Sequence, residues 1–208
     1  MAWTPNQPGG SLGRDAPLPE DLDWRQRFRN RDPAAWSAAI EALSPSLVRL
    51  IATLLPPKHD REGVQSETWE RAYERVERYD ASRAIGPWVI AICVRLCRNH
   101  RRHLGRFLRH LRLLRREPEG RPDPPVSEAM ALLQLAMDAL PEGERQVIAL
   151  RFSGGLSYVE VAEVLRISDQ TARKRLSRGL VLLRAGPFAQ QLADLLDGAH
   201  GRGSRGQA

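Results

Sequence analysis

The polar side chains between Gln170 and Arg178 carry the clearest chemistry in this chain of 208 residues. Gln170, Arg173, Lys174 and Ser177 share one side of a helix, with Arg175 and Arg178 flanking them. Ala172, Leu176, Leu180 and Leu183, spaced by threes and fours, form its apolar side. An amide pairs with adenine edges, Arg and Lys pair with guanine, and the remainder reach phosphates, so such a helix suits the major groove of DNA. A basic amphipathic helix inside an ordinary bundle would show the same two faces. The turn and caps that precede it favour DNA.

Those preceding residues read as the first half of a helix-turn-helix. Ser157 followed three places on by Glu160 is the capping-box spacing. Val161, Ala162 and Leu165 then give an apolar stripe, and Ala162 is small enough for two crossing helices to approach. Arg166-Ile167-Ser168 makes a short break. The second helix starts near Asp169, read as its cap, whose charge also suits the positive helix end.

The formal net charge is +7 and the pI about 10.3, which favours an acidic partner, nucleic acid first and a membrane surface second. Cys93 and Cys97 lie four apart on one helix and have no second Cys/His pair for zinc, so they read as buried apolar thiols. His100, His103 and His110 lie among arginines that would repel a metal ion. Neither a nucleophile-base pairing nor a phosphate-cradling Gly loop stands out. The expectation is a protein that is not an enzyme and needs no cofactor or metal. No apolar run approaches the length of a bilayer span, and the N-terminus lacks a basic start with an apolar core. A cytoplasmic protein without stable membrane insertion is expected.

The remaining elements are helical, with no convincing strand. Residues 1–30 are expected to be a disordered N-terminal tail, rich in Pro and Gly over about the first 22. Asp32-Pro33 opens a helix, Ser44-Pro45 opens another, and Pro56-Pro57 stops it. A third helix is predicted over Asp60–Tyr79, with Val64, Thr68, Ala72 and Val76 on its inner side. A loop over Asp80–Pro87 leads to a fourth helix from Trp88. From Ala81 to Arg116 there is no acid, and a one-signed segment of this kind calls for a polyanion nearby. The Pro-rich stretch 117–127 is the best domain boundary. Beyond it come a helix after Ser127, another after Leu140-Pro141, and the helix-turn-helix. Residues 186–208 form a C-terminal extension holding one short amphipathic helix.

Two basic helical domains on a tether, the second ending in a helix-turn-helix, resemble the bacterial RNA polymerase sigma factors of the extracytoplasmic-function (ECF) type. Leu140-Pro141-Glu142-Gly143-Glu144-Arg145 is similar to the family's LPxxxR opening of region 4. Gly155-Leu156-Ser157-Tyr158 with Glu160-Val161-Ala162 is similar to its GLSYxEIA turn, and Thr171, Arg173 and Arg175-Leu176-Ser177-Arg178 to its recognition helix. Glu67-Thr68-Trp69-Glu70-Arg71-Ala72 resembles its QETWxRA helix of region 2, continued by Tyr79-Asp80, Arg83, Gly86 and Trp88. Gly63 and Ser66 stand where the family usually has Asp and Gln, and Arg95 and Asn99 where it usually has Asn and Asp.

The resemblance implies an all-α protein: a region 2-like domain over 31–116, a linker, and a region 4-like domain over 128–185. It implies core RNA polymerase and promoter DNA as partners, and it admits an anti-sigma factor. Region 4 would read the minus-35 element through Gln170, Thr171, Arg173, Lys174, Arg175, Ser177 and Arg178. Region 2 would help melt the minus-10 element through Arg83, Trp88, Arg95 and Arg98. Trp88 is equally well read as a core anchor. Glu67, Trp69, Glu70, Arg71 and Glu74 would dock on polymerase. Two other uses fit the residues less closely: a free-standing helix-turn-helix regulator, and a protein-interaction or membrane-surface module using the Arg-rich helix.

Overall fold

The computed structural model describes residues 21–57, 59–113 and 128–190, with the backbone alone at 104–113 and 128–130. Among these residues the secondary structure is entirely helical: α1 Leu22–Arg29, α2 Pro33–Leu54, α3 Arg61–Arg75, α4 Ile85–Leu113, α5 Glu128–Ala139, α6 Glu142–Phe152, α7 Tyr158–Leu165 and α8 Asp169–Ala185, with a 3-10 turn at Val76–Arg78.

The first helix corrects the expected tail. Asp21 accepts a hydrogen bond from the Trp24 amide at 2.7 Å and caps α1, whose Trp24 and Phe28 are buried. Phe28 stacks on Trp36 with centroids 4.3 Å apart and meets Tyr79 edge-on. The Trp36 indole donates to the Phe28 carbonyl at 2.9 Å. These two aromatics outweigh the Pro/Gly bias of the segment before them, because each buries a large apolar area. Residues 1–20 lie outside the described residues.

The two helices expected on either side of Ser44-Pro45 are one. Asp32 caps α2 through the Ala35 amide at 2.9 Å, Pro33 occupies the first turn, and Pro45 lies inside. A mid-helix proline removes one hydrogen bond and usually breaks the helix. Here Ala35, Trp36 and Ala39 before it and Leu47, Leu50, Ile51 and Leu54 after it are buried in the same core, so packing overrides the break. The joined helix is long and apolar enough, by length and composition, to cross a bilayer, which amends the reading of the apolar runs. Its buried side is committed to the core.

Helix α3 presents Val64, Thr68 and Ala72 to that core, followed by Val76, as the spacing predicts. Helix α4 begins at Ile85, not Trp88. Gly86 and Pro87 fall in its first turn, where a proline forgoes an N–H that has no helical partner anyway. Val89, Ile90, Cys93, Val94, Leu96 and Cys97 form its buried side.

In the second half, α6 and α7 both pack on α8. Ser157 and Glu160 make the full capping box. The turn closes with Arg166 in the left-handed region at φ 54°, and Ser168, not Asp169, caps α8 by accepting from the Thr171 amide at 3.1 Å. Asp169 is the first residue of the helix instead. Ala162 is buried, and a close approach of α8 to α6 is found at Gly179. A Cβ on Gly179 would meet Ile148 Cδ1 at 2.7 Å and Glu144 Cβ at 3.2 Å, so the α6–α8 crossing favours a residue without one. Arg145 is buried and donates to the carbonyls of Met137, Asp138 and Leu140, closing the end of α5.

The two halves pack on each other. Helix α2 meets α5 and α6, and α4 meets α7, so one buried cluster runs through both. The seam is bonded by Thr53 to Ser153 at 2.8 Å, by Arg101 to Asp138 at 2.7 Å, and by Arg61 to Gln134 at 3.4 Å.

Candidate nucleic-acid interface

Helix α8 buries Ala172, Leu176 and Gly179 and exposes Gln170, Arg173, Lys174, Ser177 and Arg178. Thr171 and Arg175 are half-buried at the edge of that face. The recognition residues expected from sequence therefore stand together on one open surface. Beside them, Gly143, Glu144, Thr171, Lys174, Arg175 and Arg178 line an open hollow of about 560 Å³ between the first turn of α6 and α8. Arg178 reaches Glu144 at 3.6 Å.

Arg173 is held from two sides. Its Nε donates to Asp169 Oδ2 at 2.9 Å, and its guanidinium lies over the Tyr158 ring at 4.1 Å. Arg151 lies over the same ring at 4.8 Å and donates to the Leu156 carbonyl. The i,i+4 spacing of Asp169 and Arg173 is a legible signal. The part of Tyr158 is not, because it comes from a different helix.

The region 2-like face is built differently. On α4, Arg95, Arg98 and Arg102 recur at three and four residues and are all exposed, opposite the buried Cys93 and Cys97. Trp88 is half-buried, 5.2 Å from Tyr79 and 6.4 Å from Phe28, so it both anchors the aromatic cluster and borders a cleft. That cleft, of about 650 Å³, lies between the loop and α7, with Arg83, Pro87, Trp88, Glu160, Glu163 and Arg166 on its walls. Arg83 is paired with Asp80 at 3.7 Å and with Glu163 of α7 at 3.4 Å. The hydroxyl and amide of Ser82 beside Asp80 hold its carboxyl below the usual carboxylate range.

On α3 the five residues read as a docking face divide. Glu67 gives one oxygen to Arg71 at 3.1 Å and the other to His100 at 3.4 Å, so it ties α3 to itself and to α4. Glu70 and Glu74 are exposed and rim an open cleft of about 460 Å³ with Trp36, Ile40, Trp69 and Tyr73. Ile40 and Tyr73, not singled out from sequence, are 40% and 51% exposed, which marks an apolar centre. Trp69 Nε1 is buried there without an acceptor among the described residues. No group of three or more His, Cys, Asp or Glu that could hold a metal occurs among the described residues.

Comparison with known proteins agrees with this geometry. The family description "Sigma-70 region 2" matches residues 39–107, and "Sigma-70, region 4" matches residues 130–183. The ECF RNA polymerase sigma factor SigE of Mycolicibacterium smegmatis is 31% identical over 158 residues, 72% of this chain and 60% of that protein. The chain thus spans less than two thirds of that relative. SigW of Bacillus subtilis, also an ECF sigma factor, is 23% identical over 82% of this chain and 95% of its own. Among solved structures, CnrH in complex with the cytosolic domain of CnrY has a TM-score of 0.63 at 22% identity, covering 80% of this chain and 96% of that one. The sigma factor RpoE of Bartonella quintana, in complex with the anti-sigma factor NepR, has a TM-score of 0.60 at 19% identity, covering 72% of this chain and 94% of that one.

Proposed function

This chain belongs to the RNA polymerase sigma factors of the sigma-70 family, in the ECF branch, and from that membership we propose that it directs core polymerase to a particular set of promoters. A sigma factor is a specificity subunit, and the chemistry of synthesis belongs to the polymerase. The cytoplasm, where polymerase and promoter meet, is its place of action.

The observation that carries the reading is the two-faced α8: an apolar side packed on α6 and α7, and an open side of Gln170, Arg173, Lys174, Ser177 and Arg178. That side enters the major groove of the minus-35 element. Arg175, Thr171 and the hollow beside α6 take backbone phosphate. Arg95 and Arg98 on α4, with Arg83 and Trp88 at its start, form the basic and aromatic surface for the melted minus-10 strand. Polymerase docks on the α3 cleft, Trp69 and Tyr73 at its centre and Glu70 and Glu74 at its rim, with Arg71 and Glu67 bracing them from within.

The packed arrangement is a resting one. Elements about 25 base pairs apart lie roughly 85 Å apart along the duplex at ~3.4 Å per step. Helices in contact cannot reach both. Glu163 occupies Arg83, the group that would take a phosphate. Opening the seam releases that arginine from Glu163 and leaves it with Asp80 alone. An anti-sigma factor that holds the domains together would act on the same equilibrium.

Run-off transcription with core polymerase and genomic fragments tests the proposal. Promoter-selective transcripts that depend on the chain are expected. Failure of core polymerase to retain the chain, with tight DNA binding preserved, would instead establish a free-standing regulator. Changing Glu70 and Glu74 to Lys should weaken retention by core.

A further inference from the structure

Arg173 differs from its neighbours on the recognition face. The side chains of Lys174 and Gln170 are exposed and make no hydrogen bond among the described residues, whereas that of Arg173 is fixed by two groups. Asp169, one turn earlier, takes its Nε at 2.9 Å. Tyr158, the first residue of α7, lies under its guanidinium. Tyr158 is itself placed by the Ser157–Glu160 capping box and by Arg151 over its ring.

With Nε engaged, the two terminal nitrogens remain as a pair of donors on a side chain that is 58% exposed. In the major groove only guanine offers two adjacent acceptors, N7 and O6. Adenine and cytosine present an amino donor, and thymine presents a single acceptor beside a methyl group. We propose that Tyr158 and Asp169 are positioning residues that hold Arg173 in one rotamer with its terminal nitrogens presented to a guanine, so that two side chains apart from the base contact set the preference at one promoter position. The inference rests on the reading of α8 as the minus-35 helix and adds to it the base and the residues that enforce it. Asp169 also sets a negative charge near the phosphates. Its presence lowers attraction to every sequence while sharpening the choice at one.

The test uses holoenzyme assembled from core polymerase and the full chain, on a promoter fragment selected by run-off. Each base pair of the minus-35 element is replaced in turn, and open-complex formation is measured at fixed salt. The parent should favour guanine at one position by about 5- to 150-fold, and Arg173→Ala should abolish that preference. Tyr158→Leu and Asp169→Ala should each cut it to about a third or less. Tyr158→Phe, which keeps the ring, should preserve it. Asp169→Ala should leave the average over other sequences equal or raised, which a purely structural defect would not do. A preferred base other than guanine overturns the assignment. Preference kept in both Tyr158→Leu and Asp169→Ala, or activity lost uniformly across all sequences, overturns the positioning roles while α8 remains the reader. Arg173→Ala with every preference intact removes Arg173 from base reading, and the inference with it.

Discussion

Removing the carboxylate of Asp138 should open the two halves of the molecule. Three groups approach that carboxylate: Arg101 at 2.7 Å, Arg145 at 4.0 Å and Gln134 at 3.4 Å. Only Arg101 comes from the other half, so only that bond is lost when the halves part. Its side chains are 25% and 28% exposed, which places it between an exposed ion pair, worth up to about 1 kcal/mol, and a buried hydrogen bond to a charge, worth roughly 1.5–3 kcal/mol. About 1–2 kcal/mol is the fitting value. Asp138→Ala also leaves Arg101 and Arg145 near each other without the anion between them. The ratio of open to closed molecules should rise about 5- to 30-fold. Fluorophores on cysteines introduced at the exposed positions Glu74 and Arg184 report the separation, and the native thiols, being buried, do not compete for label. Through a salt series the variant should open at lower ionic strength than the parent. Arg101→Met should act in the same direction, and the double variant should be little worse than either alone. Identical distance distributions for parent and Asp138→Ala at every salt concentration would refute the reasoning.

Three further outcomes are expected. Arg166→Gly should raise stability by about 1 kcal/mol, seen as an increase in Tm, because a non-glycine residue at φ 54° bears strain that glycine does not. The carboxyls of Asp32 and Asp80 are held below the usual range, by the Ala35 amide with the Arg27 charge and by Ser82 respectively. Their contribution is complete above about pH 4 and is lost as pH falls through their lowered values, so urea midpoints should decline on acidification and Asp32→Asn should flatten that decline. The thiols of Cys93 and Cys97 are buried, and the hydrogen bond with Cys93, together with burial, pushes the Cys97 thiol upward. A thiol reagent at neutral pH should label the native chain far more slowly than the denatured one, and rapid native labelling would mean that α4 opens locally.

Legibility in the sequence followed the range of the interaction. The capping box, the inner stripe of α3 and the two faces of α8 depend on residues within a turn or two of each other, and all were readable from spacing. Pro45 and the start of α4 were misread because a proline's local cost was set against packing energy from distant helices. Trp24 and Phe28 follow directly on a segment biased toward Pro and Gly, and only their partners Trp36 and Tyr79 explain the helix. Glu67 matched a family motif, yet both its oxygens are occupied at home. The hold of Tyr158 on Arg173 and of Asp138 on Arg101 joins residues from separate elements, and no periodicity within one helix announces such pairs.

The arginines along the seam serve two masters. Arg101 donates to the Leu54 carbonyl as well as to Asp138, and Arg61 donates to the carbonyls of Ala52 and Leu55 as well as to Gln134. Their backbone acceptors lie at the end of α2, within their own half. When the molecule unlatches, those last-turn oxygens stay satisfied and the arginines trade one side-chain partner for water. The backbone ends of each half thus stay capped as the clasp unfastens, and what the motion must expose is the apolar surface the halves share.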